Sequence, residues 1–116
     1  MSDDLACPRL TVFCTLRFEA THRWPGAAAH PGVRFLANEH RHLFHARCEW
    51  AVSHDDRDVE FLLARRRAEG VVRSALLDED TGTWSCERWA LRLFGALGCS
   101  RVEVSEDGEN GAVVTA

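Results

Sequence analysis

The sequence predicts an α+β domain in which four antiparallel strands carry two helices on one face, in the order β-β-α-α-β-β. Three observations point that way. Hydrophobicity alternates with period two along two stretches of the first half, changes to helical spacing after Asp58, and alternates again near the C-terminus around an Asp-Gly turn.

Residues 9 to 21 place Leu10, Val12, Cys14, Leu16, Phe18 and Ala20 on one side and mostly polar residues on the other, the pattern of a half-buried strand. From Arg23 to Ala37 the alternation stops, and two Pro-Gly pairs mark a turning loop that is placed to cover a site. A second strand is expected from His42 to His54, with Phe44, Ala46, Cys48, Trp50 and Val52 on one face and His45, Arg47 and Glu49 on the other. Asp58 is the expected cap of a helix from Val59, with an apolar stripe of Phe61, Leu62, Ala64, Ala68, Val71, Val72, Ala75 and Leu76. Gly70 is expected to bend or divide it, and Arg65, Arg66, Arg67 and Arg73 to form its solvated face. Asp78 to Thr83 reads as a turn. Ser85 caps a second helix with Trp89, Leu93 and Leu97 on one side, and Gly98 ends it. Cys99 to Ser105 is the third strand, Asp107 to Gly111 a hairpin turn, and Ala112 to Thr115 the fourth strand. The 116 residues are read as one domain over 1-116, with no internal repeat.

Composition excludes several classes. Hydrophobic content of 46% and charged content of 28% are those of a folded globular protein, and a net charge of -4 argues against a general nucleic-acid binder. No apolar run approaches the ~20 residues of a membrane span. The acidic start, Met1 to Ala6, lacks the order of a secretion signal, so a cytoplasmic location is expected. Cys7, Cys14, Cys48, Cys86 and Cys99 are an odd number without C-x-x-C spacing, which suggests buried small hydrophobes rather than a disulfide framework or a zinc ribbon.

Glu39-His40-Arg41-His42-Leu43-Phe44-His45 concentrates three of the six histidines where a loop becomes a strand. In an extended strand His40 and His42 point the same way, ~7 Å apart along the backbone, while His45 falls on the other side. The obvious third ligand is His22. His-x-His plus one distant histidine is what a catalytic zinc site needs, three protein nitrogens with a fourth position for water or substrate. Strand-end histidines are also often surface or hydrogen-bonded structural groups, so spacing alone leaves both readings open.

Order and motifs together resemble the 6-pyruvoyltetrahydropterin synthase and 6-carboxytetrahydropterin synthase family, whose subunits have the tunnelling fold. The likeness runs from Phe18 to Val114. Phe18-Glu19-Ala20-Thr21-His22 is similar to the family's strand that supplies the first zinc histidine, and His40-Arg41-His42 to its His-x-His, with Arg41 where the family usually has Gly. Glu60-Phe61 resembles an acidic-Phe pair at the first helix, and Ser85-Cys86-Glu87 a Thr-x-Glu start to the second. The resemblance implies Zn²⁺ on His22, His40 and His42, a pterin-like substrate with Glu106 as the ring-anchoring carboxylate and Ser85 beside it, and a homohexamer of two trimers. An oligomer is also expected on physical grounds, because a four-stranded sheet covered on one face leaves open edges that neighbours can continue.

The departures from the family bear on chemistry. Residues 33 to 39 hold no cysteine where the family has its catalytic thiol, and Leu77-Asp78-Glu79 has the acid of the Asp-His pair but no histidine. Two functions follow as expectations. One is a zinc enzyme of the tetrahydropterin synthase type on a pterin resembling dihydroneopterin triphosphate, with Glu39 or His45 as substitute base; Glu39 also reads as an exposed loop carboxylate. The other is a non-catalytic metal- and pterin- or purine-binding protein.

Overall fold

In the computed structural model, residues 8-116 are described; the acidic Met1 to Ala6 segment and Cys7 lie outside them. Strand β1 spans Leu10–His22 and β2 spans His40–Val52, helix α1 covers Phe61–Asp78 and α2 Cys86–Leu97, and the hairpin β3 (Arg101–Glu106) and β4 (Asn110–Thr115) closes the chain. The four strands lie in sequence order, each antiparallel to the next. The β-β-α-α-β-β arrangement with both helices on one side of the sheet is therefore the architecture the alternation predicts.

Period two explains the sheet's two faces. Cys14, Leu16, Phe44, Ala46, Cys48, Trp50, Val102 and Val104 face the helices and are buried, and no charged or polar residue is buried among the described ones. α1 packs on β1 and α2 on β3 and β4. The α1 seam is made of small residues, Ala64, Ala68, Val72 and Ala75, which lets the helix lie close to the strand. Trp89 and Phe44 fill the centre, and Trp50 Nε1 donates to the Leu97 carbonyl at 3.1 Å. Cys14, Cys48, Cys86 and Cys99 are buried free thiols, as expected of small hydrophobes, Cys14 and Cys48 by strand alternation; Cys7 is outside the described residues.

Several boundaries shift for identifiable reasons. Helix α1 is capped by Glu60, whose carboxylate accepts from Leu63 N at 2.8 Å, and not by Asp58. Asp58 is already engaged, accepting from the backbone N-H and the hydroxyl of Ser53 at 2.9 and 3.1 Å. With the start moved to Phe61, Phe61 and Leu62 stand outside the buried seam, exposed on the first turn, and Leu10 is likewise exposed at the strand start. Gly70 neither bends nor divides α1, which runs unbroken for 18 residues. Tertiary packing on both flanks outweighs one glycine's propensity cost. β2 starts two residues earlier than expected, at His40, because His40 pairs with His22 as the last rung of the β1–β2 ladder. β3 begins at Arg101 rather than Cys99. The turn into β4 is also tighter: Glu109 N donates to Glu106 O at 3.0 Å, and Asp107 and Gly108 take φ of +56° and +75°, the I′ combination that Asp-Gly favours.

The loop from 23 to 39 is held as two 3-10 turns, Pro25–Ala29 and Arg34–Ala37. Trp24 N donates to Leu36 O at 2.7 Å, and Arg23 N to Gly82 O at 2.8 Å, which ties the end of β1 to the segment entering α2. This second bond brings Ser85 and Cys86 to the histidines.

The molecule is thin. Its extents are 55 × 34 × 19 Å with a radius of gyration of 16.8 Å, against about 13 Å for a compact domain of this length. Nothing among the described residues covers the sheet face that carries Arg17, His45, Arg47 and Glu103.

Candidate metal centre

The histidine site is built by strand register. His22, the last residue of β1, faces His40, the first of β2, while His42 faces Ala20. All three lie on the helix-covered face, His42 one same-face step from Phe44, His40 two, and His22 two beyond Phe18, so the core's alternation delivers them to one point. One ligating atom from each falls within 4.8 Å of the others. His22 Nδ1 stands 3.4 Å from His40 Nε2.

Second partners orient the rings. His40 Nδ1 is 2.7 Å from the Asn38 carbonyl, which only accepts, so the proton sits on Nδ1 and Nε2 offers a lone pair. His42 Nδ1 is 2.8 Å from Asp107 Oδ2, and the same reasoning leaves its Nε2 unprotonated. That Nε2 is buried without a hydrogen-bond partner; Glu106 Oε2 lies 3.3 Å away but outside hydrogen-bond geometry. An orphaned buried nitrogen beside the imidazoles of His22 and His40 is a donor set that fits a divalent, nitrogen-preferring cation such as zinc. Burial lowers the His22 pKa from its ordinary value, opposed by Glu106 and assisted by His40 and His42, which favours the neutral, ligating form.

A cavity of about 520 Å³ opens beside the triad, lined by His22 and His40, Trp24 and Leu36 of the covering loop, Ser85, Cys86 and Glu87 of α2, and Glu106. A larger concavity of about 690 Å³ lies on the opposite sheet face among Arg17, His45, Arg47 and Glu103, and none of the triad lines it. The chemistry is on the helix side.

Of the expected residues, His22, His40, Glu106 and Ser85 meet at this cavity, with His42 behind them. Ser85 also caps α2, its oxygen accepting from Arg88 N at 3.1 Å. Glu39 is exposed and outside the lining, and His45 looks out from the other face. Two residues are here that sequence reasoning passed over. Asp107 reads as a solvated turn acid, yet its pKa is held below the ordinary value by the Leu43 N-H and by His42. Cys86 reads as a core thiol, yet it lines the cavity, with burial and then Glu106 and Glu87 pushing its pKa up to about 11. Its position one residue after the Ser85 cap was the available signal.

A structure of Caenorhabditis elegans 6-pyruvoyl tetrahydropterin synthase superposes with a TM-score of 0.68, covering 94% of this chain and 96% of that one at 14% identity. The chain has the tunnelling fold. Compared by sequence, it matches no protein-family model and no curated protein. At that identity the likeness speaks for the tunnelling fold, and the site's chemistry rests on the residues just described.

Proposed function

We propose that this chain, as one tunnelling-fold domain over residues 1-116, is a zinc-dependent enzyme of the tetrahydropterin synthase type that acts on a pterin resembling dihydroneopterin triphosphate. The observation that carries the reading is the convergence of His22, His40 and His42 with the orphaned His42 Nε2, at a cavity whose wall includes Glu106. When bound, Zn²⁺ supplies a Lewis acid for vicinal oxygens of the substrate side chain. The protein's share is to orient it. Glu106 is an acceptor-only carboxylate, suited to the parallel N-H donors of a pterin or guanine-like ring, and Ser85 lies on the same wall. Trp24 and Leu36 supply the apolar side of the cavity.

One observation favours a second reading, in which the same pocket binds metal and a pterin or purine without turning it over. Neither Glu39 nor His45 lines the cavity, and its one cysteine, Cys86, is held protonated at neutral pH. The ordinary proton relay therefore has no evident replacement within the described subunit. The thin shape and bare sheet face support a homo-oligomer, proposed as a hexamer of two trimers, whose neighbours are able to add groups to the site. Among the described residues no helix is long and apolar enough to cross a membrane; the cytoplasm is the proposed location.

The test is incubation of zinc-loaded protein with dihydroneopterin triphosphate, with calorimetric titration of a pterin into wild type and Glu106→Gln. Product formation supports the enzyme; pterin binding without product supports the binding protein. Glu106→Gln is expected to weaken binding by about 1–3 kcal/mol, the scale of an unpaired buried polar group. Failure of wild type to bind any pterin would remove the enzyme reading, and failure to bind a purine as well would remove both.

A further inference from the structure

We infer that Asp107 is a positioning residue that sets the tautomer of His42 and thereby decides whether its Nε2 is free to bind metal. The inference rests on the metal reading above. Its basis is one carboxylate with two fixed duties. Asp107 Oδ1 accepts from the backbone N-H of Leu43 at 3.0 Å, and Oδ2 meets His42 Nδ1 at 2.8 Å. Asp107 N also donates to Leu43 O at 2.7 Å, so three bonds tie this residue to the segment that carries His42. The regular β2–β3 ladder has already ended, at Phe44 opposite Glu106. Asp107 extends it with a side chain.

The I′ turn makes this possible. With φ of +56° at Asp107, the left-handed conformation that Asp and Asn tolerate, the carboxylate turns back across the strand end instead of out to solvent. Each oxygen then has its own donor. Because a carboxylate has no proton to give, His42 must present Nδ1-H to it, and the lone pair is left on Nε2. Holding a ligand imidazole through its second nitrogen orients the ring and raises its basicity. His40 is oriented by a neutral carbonyl, that of Asn38, so Asp107 brings the one anionic partner found on a triad Nδ1 among the described residues.

Asparagine isolates this role. It keeps the shape and tolerates the turn, but has one acceptor and one donor in place of two acceptors. The Leu43 N-H requires the acceptor, so the amide NH₂ faces His42 Nδ1. The imidazole then accepts there and carries its proton on Nε2, where it blocks the metal. Alanine removes both bonds but imposes no tautomer. The order of effects is therefore specific: Asp107→Asn is expected to lower zinc affinity 10- to 100-fold, the range for such partners, and by more than Asp107→Ala. A scaffold role would reverse that order, since alanine loses more contacts.

The experiment is competition of wild type, Asp107→Asn and Asp107→Ala against a chromophoric chelator for zinc, together with long-range ¹H–¹⁵N spectra of the histidine rings in metal-free protein. Expected are Nδ1-H on His42 in wild type, Nε2-H in Asp107→Asn, and the affinity order wild type, Ala, Asn. Equal affinities, an Ala variant weaker than the Asn variant, or an unchanged His42 tautomer would overturn the inference. Wild type that binds no zinc would sink the metal reading instead, and the two failures are separable because the tautomer is read without metal.

Discussion

His22 and His40 are register partners at the open end of the β1–β2 ladder, and Nδ1 of the first stands 3.4 Å from Nε2 of the second. At that distance the two nitrogens share a proton, or a cation takes the place between them. Purified wild-type protein, prepared without chelator, is expected to carry about one zinc per chain, the stoichiometry of a three-histidine site. His42→Ala and His22→Ala should each lose it. Elemental analysis checks this, and metal retained by either variant would place the ion elsewhere.

Gly111 sits where no side chain fits. A Cβ there would come within 1.9 Å of the Val104 carbonyl oxygen and 2.6 Å of Ser105 Cα, both backbone atoms that cannot swing aside. Gly111→Ala is expected to destabilise the fold by about 3 kcal/mol, at the upper end for overpacking, because β4 must move off β3. Chemical denaturation measures it, and a loss below about 1 kcal/mol would contradict the pairing of Gly111 with Ser105.

Gly70 is the opposite case. It lies inside the unbroken α1, and a methyl added there would meet nothing within 4 Å. Gly70→Ala should stabilise the protein by about 0.5–1 kcal/mol through helix propensity. A lowered melting temperature would mean that α1 does break there.

Glu79 and Arg92 form a bidentate pair that joins the end of α1 to α2. Arg92 holds the Glu79 carboxyl below its ordinary pKa. A folded-state value below the unfolded one means the contribution is present above the unfolded pKa and is lost as pH falls through the folded one. Wild type should therefore be more stable than Glu79→Gln at neutral pH, and the gap should close below about pH 4, where free Glu protonates. Melting curves across pH test this; a gap that widens in acid would reverse the sign.

Period two in residues 10–20 and 44–52, helical spacing over α1 and α2, the Ser85 and Gly98 caps and the Asp-Gly turn made the architecture legible without coordinates. Each is a local property: alternation and capping depend on neighbours a few residues away. The same alternation put His40 and His42 on one face, and the resemblance of Phe18 to His22 to a family's zinc-ligand strand supported the third ligand.

Other features belonged to the tertiary structure because they depend on contacts between distant segments. Asp58 is the helix cap the sequence suggests, and only the Ser53 bonds that occupy it and the Glu60 bond to Leu63 N show that Glu60 caps instead. Asp107 is 65 residues from His42, so its role appears only when the β3–β4 turn is folded against the start of β2. The same is true of Cys86, carried to the cavity by the α2 entry, and of Glu39, which lies outside the lining. Glu39 precedes the first rung of β2 and stays exposed in the loop, while register brings His22 opposite His40.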